Sequence, residues 1–341
     1  MLMQENVILS SYTTFHLGGP ARFFCRVETE DQLLEAVEFA NKKKLPILIL
    51  GGGSNVLISD SGYAGLVIKI EIMGIDWQYD NDGDVIVNVR AGENWDEFVK
   101  QTVDRGLYGL EALSAIPGTV GAAPIQNIGA YGVDVANHIE KVRALDMNTL
   151  KYVYLSKDEC QFGYRDSIFK KRKGLYIVSS VVFKISKSGR VKMNYADVKE
   201  YFATKQITDP TLVEVRQAVI EIRHNKLPDW TKWGTAGSFF KNPIITAEHF
   251  DKLKTKYPGL VGFSDKDGKV KVSLGWILEH VCNVKGVLVG NVGTYKKQAL
   301  VLVTKPGATS SEVVAFAKNL MNEVKEMTDI DVEVEVDWTV A

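Results

Sequence analysis

The residues able to do chemistry fall in five short stretches. Gly51, Gly52 and Gly53 follow the apolar run ILIL and precede Ser54 and Asn55. Consecutive glycines let backbone N–H groups approach an anion with no side chain in the way, and the two short polar residues add donors, a combination that suits a pyrophosphate. A tight turn would use the same residues. The stretch is not a G-x-G-x-x-G fingerprint, because Val56 stands where the third glycine belongs, and no G-x-x-x-x-G-K-[ST] occurs anywhere.

The second stretch, residues 112–133, carries no charge and holds Gly118, Gly121, Gly129 and Gly132 with Gln126 and Asn127. A buried loop must satisfy its own backbone polar groups, so this implies either very tight packing or a flat ligand that takes up those hydrogen bonds. Two glycine-rich loops after short strands suggest a nucleotide-containing cofactor with an aromatic ring. In the third, FGYRDS, Arg165 lies between Tyr164 and Asp166 and by itself reads as a surface ion pair. In the fourth, GSFFKNP, Ser238 by itself reads as a hydroxyl bonded to backbone, in a strand that turns into a Pro-terminated loop. The fifth is DVEVEVD. Side chains two apart on a strand share a face at roughly 7 Å, so Glu333, Glu335 and Asp337 repel unless solvated or met by cations. A solvated edge and a catalytic carboxylate near an arginine both remain open.

The five histidines, at 16, 138, 224, 249 and 280, have no ligand spacing, so no metal site is arguable. Cys25, Cys160 and Cys282 match neither a disulfide framework nor a CxxC pattern, which fits a reducing, cytosolic compartment. Neither glycine-rich loop contains a histidine or cysteine to which a flavin could be covalently attached.

These stretches need elements to position them. RFFCRV predicts a strand, and Thr29 with Gln32 predicts a capping box on a helix whose Leu33, Val37 and Ala40 share a face. Strands are predicted at ILIL, GLVIKI, VIVNV, RALDM, LYIVSSVVFKI, ALVLV and DVEVEVD. Helices are predicted from Trp95 to Asp104, after Asp209-Pro210 with Leu212, Val215, Val219 and Ile222 inward, near Ala247 and Leu274, and from Ser311 to Glu326. At 341 residues the chain suggests about two or three domains. Its 41 basic and 42 acidic residues leave a net charge of -1, so no basic field for nucleic acid exists. No apolar run approaches membrane-spanning length, and no export signal opens the chain.

Read in order, LGGGSNVLI (50–58), AGENWDEFV (91–99), IPGTVGAAPIQNIGAYG (116–132), FGYRDSIFK (162–170), KLPD (226–229), AGSFFKNP (236–243) and QALVLV (298–303) closely resemble the UDP-N-acetylenolpyruvoylglucosamine reductase family across nearly the whole chain. The resemblance implies an α+β fold: a vanillyl-alcohol-oxidase-like (PCMH-type), two-lobed FAD-binding domain with a smaller α/β substrate-binding domain. Its lobes would occupy 1–65 and 66–227 and its substrate domain 228–325, with 326–341 a C-terminal strand returning to the active site. It further implies a cytoplasmic, monomeric enzyme of peptidoglycan precursor synthesis, with non-covalent FAD, NADPH as hydride donor and a UDP-sugar substrate, and with no nucleic-acid or membrane partner.

Carried over by motif, the resemblance makes Arg165, Ser238 and Glu335 catalytic. Glu333 competes for the last role, because the family strand can read LEPEV and here reads VEVEV, with Val334 replacing Pro. FAD would lie against Gly51, Gly52, Gly53, Ser54 and Asn55 and beside Ile116, Pro117, Gly118, Gly121, Ala122, Gln126, Asn127, Gly129 and Ala130. Tyr131, Lys226, Asn242, Gln298 and Tyr195, of MNYADV as in the type I subgroup, would meet substrate. Two alternatives stand beside this: an FAD-dependent alcohol or sugar oxidase of the same fold, and a non-catalytic FAD- or UDP-sugar-binding regulator.

Overall fold

The computed structural model describes residues 1–79, 84–191 and 195–339. Its chain divides into two compact units, one made of Met1–Val7, Ala21–Gly53 and Ala64–Asn225, the other of Ile8–Pro20, Ser54–Tyr63 and Lys226–Ala341.

The first unit holds two larger sheets. Strands Gln4–Ile8, Pro20–Val27, Tyr63–Ile70 and Ile47–Leu50 lie in that spatial order, the last two parallel with Ile47 opposite Leu66. The helix Glu30–Lys43 connects Pro20–Val27 to Ile47–Leu50. Thr29 caps it through the Gln32 N–H, Glu30 and Asp31 face its positive end, Lys42 and Lys43 its negative end, and Lys44 closes it in the left-handed conformation. The capping box differs in one bond from the expected pairing, because the Gln32 side chain accepts from the Glu28 N–H at 2.7 Å. Leu33, Ala36, Val37 and Ala40 pack with Phe23, Cys25, Val27, Leu66 and Ile68.

The other sheet is antiparallel, in the order Lys151–Ser156, Ile139–Asp146, Tyr176–Ser186, Asp84–Arg90, Ile75–Tyr79. The alternation in VIVNV turns Val85, Val87 and Val89 into a core shared with Trp95, Phe98 and Val99 of the helix Trp95–Asp104. The helix Leu212–Lys226 buries Leu212, Val215, Ala218, Val219 and Ile222. Val198 and Phe202 of the helix Ala196–Thr204, which no periodicity announced, join that cluster.

In the second unit, Val313, Ala317, Leu320 and Val324 of the helix Ser310–Thr328 share a core with Phe15, Leu17, Leu57, Phe239, Phe240 and Ile277. Asp60 accepts from the Ser310 and Ser311 N–H groups at 2.7 and 3.0 Å, satisfying donors that a helix start leaves open. Gln298–Thr304 pairs antiparallel with Val292–Tyr295. The helices Ala247–Lys256 and Leu274–His280 stand where they were expected.

DVEVEVD is not the continuous strand its alternation predicts. Val332 and Val336 are buried and Asp331, Glu333 and Asp337 exposed, as alternation requires, but Glu335 is half-buried. The backbone bonds are divided. Glu333 O accepts from the Lys241 N–H and the Glu335 N–H donates to Phe239 O, both at 2.9 Å, while the Asp337 and Thr339 N–H groups donate to Asn55 and Leu57. Only Asp337–Trp338 forms a ladder, parallel to Val56–Leu57.

Candidate active site

In the first unit the two glycine-rich loops form one feature. A Cβ on Gly52 would stand 2.6 Å from the Gly118 Cα, so the loops touch backbone to backbone and any side chain there would part them. Lys69, the one charge in GLVIKI, donates from Nζ to Gly51 O at 2.5 Å. Burial lowers its pKa. Sequence reading passed over Lys69, although a lone cation in an apolar strand was a visible signal.

Around this seam Val120, Gly121 and Ala123 are buried, Ile116, Gly118 and Thr119 are half-buried, and Pro117 and Ala122 are exposed. An uncharged strip of glycine backbone and apolar side chains therefore stays open at the surface. Such a strip fits a dinucleotide with a flat aromatic ring, which needs close backbone approach and an apolar bed. Ser54 and Asn55, half-buried in the second unit, continue the first loop. Asn55 Nδ2 donates to Glu335 O at 3.4 Å. All three cysteines are buried thiols, each pushed up to about 12 chiefly by desolvation.

The FGYRDS turn is bonded to the uncharged stretch. Asn127, with φ 47°, donates from Nδ2 to Gly163 O at 2.9 Å and accepts from the Ala136 N–H at 3.0 Å. Its amide is thereby committed to aligning the two motifs. Ser167 donates to Ile125 O. Arg165, itself at φ 50°, donates from one guanidinium nitrogen to Asn127 O at 3.4 Å and from the other to Gly129 O. Asp134 lies 3.5 Å from it, and the side chain is 18% exposed. A Cβ on Gly129 would fall 2.0 Å from Asp134 Oδ1 and 2.7 Å from an Arg165 guanidinium nitrogen, so a side chain there would displace that ion pair. Arg165 is thus a half-buried cation held by two carbonyls as well as by an ion pair with Asp134.

In the same unit, the Tyr131 and Tyr195 rings meet edge to face at 5.2 Å. Burial raises both phenols, Tyr131 to about 12 with Arg223 opposing the rise, so both are neutral at physiological pH. Met193 and Asn194 of MNYADV lie outside the described residues.

In the second unit, residues 237–241 run between the strand Gln298–Thr304 and the C-terminal segment. Ser238 stands opposite Val301 and Phe240 opposite Val334, both antiparallel. Phe239 and Phe240 are buried and anchor the strip in the core. Ser238, Gln298 and Glu335 are thereby carried on three adjoining segments. Asn242 Oδ1 accepts from the Leu274 N–H at 3.0 Å at the start of the helix Leu274–His280, and Gln298 Oε1 from the Leu300 N–H at 3.3 Å. Lys226 ends its helix and is exposed.

Glu333 is met by Lys241 at 2.8 Å, with its own side chain 73% exposed. Among the described residues no three His, Cys, Asp or Glu side chains gather as a metal site, and no helix is long and apolar enough to cross a membrane.

Comparison with known proteins gives matches along most of the chain. Residues 21–149 match the family model of an FAD binding domain, and residues 229–339 that of the UDP-N-acetylenolpyruvoylglucosamine reductase C-terminal domain. The UDP-N-acetylenolpyruvoylglucosamine reductase of Paraburkholderia phytofirmans is 41% identical over 330 residues, covering 96% of this chain and 95% of that protein. The protein of that name from Chromobacterium violaceum is 40% identical over 335 residues, covering 97% of each. The crystal structure of the Thermus caldophilus reductase superposes with a TM-score of 0.66 at 25% identity, covering 99% of both chains.

Proposed function

The chain belongs to the UDP-N-acetylenolpyruvoylglucosamine reductase family, and we propose that it reduces the enolpyruvyl ether of UDP-N-acetylglucosamine to UDP-N-acetylmuramate, in peptidoglycan precursor synthesis, at the expense of NADPH. It is an FAD-dependent oxidoreductase of the two-lobed, vanillyl-alcohol-oxidase-like α+β class. FAD, when bound, would supply the hydride chemistry that links NADPH oxidation to reduction of the enolpyruvyl group. Gly51 to Asn55 would hold its pyrophosphate and the strip from Ile116 to Ala130 its ring system.

The remaining chemistry falls to side chains. Hydride addition to the methylene carbon pushes an electron pair toward the substrate carboxylate. Arg165 stabilises that charge; as a permanent cation held in place beforehand, it needs no reorganisation at the moment of reaction. Ser238 gives its proton to the carbon next to the carboxylate and recovers one from water. A serine hydroxyl is a weak acid, so this step needs its alkoxide stabilised, and Lys226 is the cation we assign to that. Glu335 acts near the same substrate carboxylate, sharing a proton with it. Tyr131, Tyr195, Asn242 and Gln298 bind the UDP-sugar, with NADPH taking its turn in the same place.

The observation that carries this reading is the half-buried Arg165, held by the carbonyls of Asn127 and Gly129 in the uncharged stretch. The test is the visible spectrum of the purified protein. NADPH should bleach a yellow chromophore, and UDP-N-acetylglucosamine enolpyruvate should then restore it under anaerobic conditions. Bleaching by a sugar or alcohol, with rapid return on admitting oxygen, would make the protein an oxidase instead.

A further inference from the structure

Ala115 directly precedes the Ile116–Pro117–Gly118 corner and has φ 56°, a left-handed conformation that side chains bearing a Cβ avoid. Proline restricts the residue before it to extended backbone, so Ile116 has little freedom and Ala115 is the last adjustable joint ahead of the corner. Both of its backbone polar groups are gripped by charge. Its N–H donates to Asp96 Oδ1 at 2.6 Å, and its carbonyl accepts from Arg223 Nε at 3.1 Å.

Asp96 lies in the first turn of the helix Trp95–Asp104, where the helix dipole favours an acid. Arg216 holds it with two bonds, 2.7 Å to Oδ1 and 2.9 Å to Oδ2. Arg216 is only 12% exposed at its side chain, so water screens the pair little. Arg223 lies two turns further along the same helix, Leu212–Lys226. One helix thus supplies a guanidinium to each side of a single strained residue, Arg216 through Asp96 and Arg223 directly.

We propose that Asp96 is a positioning residue for the cofactor: backed by Arg216, it holds Ala115 in the left-handed conformation and so sets the course of the Ile116–Ala122 loop. This rests on the reading above that the loop lies against FAD.

Apoprotein is titrated with FAD and the quenching of flavin fluorescence followed. Asp96→Ala should weaken FAD binding by about tenfold or more, the cost of leaving a strained residue without its charged acceptor. Asp96→Ala combined with Ala115→Gly should recover most of that loss, because glycine takes a positive φ unaided. Wild-type affinity in folded Asp96→Ala overturns the proposal, and so does a loss that Ala115→Gly leaves untouched. If Asp96→Ala does not fold, Asp96→Asn, which keeps an acceptor for the Ala115 N–H but drops the ion pair, is measured with and without Ala115→Gly under the same criteria. Gly52→Ala, which parts the two loops by another route, distinguishes the two levels. If it weakens FAD binding and Asp96→Ala does not, the positioning role alone fails; if it also leaves FAD binding intact, the assignment of the loops to FAD fails and this proposal with it.

Discussion

Arg165 is held by two backbone carbonyls, which its forked guanidinium takes together, and by Asp134. Arg165→Lys keeps the charge and loses the fork, so kcat for the enolpyruvyl substrate should fall about 10²- to 10³-fold with FAD retention unchanged. Ser238→Ala should split the half-reactions, leaving flavin bleaching by NADPH near wild type while turnover drops about 10²- to 10⁴-fold, the usual contribution of a positioned proton donor. Stopped-flow absorbance reads the two separately, and equal loss in both would remove Ser238 from its role. Glu333→Gln breaks an exposed pair with Lys241, so it should cost no more than about 1 kcal/mol of stability and leave turnover intact. Glu335→Gln should lower kcat. The reverse ranking would move the catalytic assignment to Glu333. Sequence pattern marked these residue types but left two neighbouring acids open. The Lys241 contact of Glu333 is made across chain segments that no local pattern records.

At the level of elements, what the sequence made legible was local. Thr29, Asn94 and Thr309 each mark a helix start through a bond to a residue three positions on, and apolar spacing supplies the buried face. DVEVEVD misled because alternation foretells burial but not partners, and here the backbone bonds go to two different neighbours. Non-local ion pairs were equally invisible. Glu30, at the start of the helix Glu30–Lys43, takes two bonds from Arg143 of the strand Ile139–Asp146 at 2.8 and 2.9 Å and one from the Ser179 hydroxyl at 2.7 Å. Burial by itself raises the Glu30 pKa, but the Arg143 and Ser179 hydrogen bonds and the charges of Arg143 and Arg90 outweigh it and hold the carboxyl below its usual range. A carboxyl depressed in the folded state contributes its full stabilisation above its unfolded pKa, about 4.3, and loses it as pH falls through the folded value. Glu30→Gln should therefore cost about 1 to 3 kcal/mol at pH 7, with the difference from wild type shrinking below about pH 4. Urea denaturation at a series of pH values measures this. A gap that stays constant down to pH 3 would mean that ionisation of Glu30 contributes nothing.

For the molecule as a whole, the least legible feature is the chain's return to the second unit. The segments 8–20 and 54–63 contain no pattern that says what they pack against, yet the unit depends on both. Thr235 donates its N–H to Thr14 O at 2.9 Å and accepts from the Thr14 hydroxyl at 2.6 Å. Phe15 meets Phe239 edge to face at 6.1 Å in the core. Leu57 is fully buried there, and its carbonyl receives the Thr339 N–H. Asp60 supplies both carboxylate oxygens and its own N–H to the start of the helix Ser310–Thr328. A fragment beginning at Lys226 keeps every α-helix of the unit among the described residues but lacks all of these. It would leave Phe239, which carries the backbone between Ser238 and Glu335, without Phe15, and would strip the helix start of its carboxylate; removing a single large buried side chain already costs about 3 to 5 kcal/mol. That is comparable to the whole stability of a domain of this size, about 5 to 15 kcal/mol. The fragment should therefore show helical far-ultraviolet circular dichroism with little near-ultraviolet signal and strong binding of a hydrophobic dye, the behaviour of a collapsed chain without fixed packing. Adding a peptide of residues 8–63 should restore near-ultraviolet signal. A fragment that unfolds cooperatively on its own, with the dispersed amide resonances of a native domain, would show that the two returning segments are passengers rather than part of the unit's core.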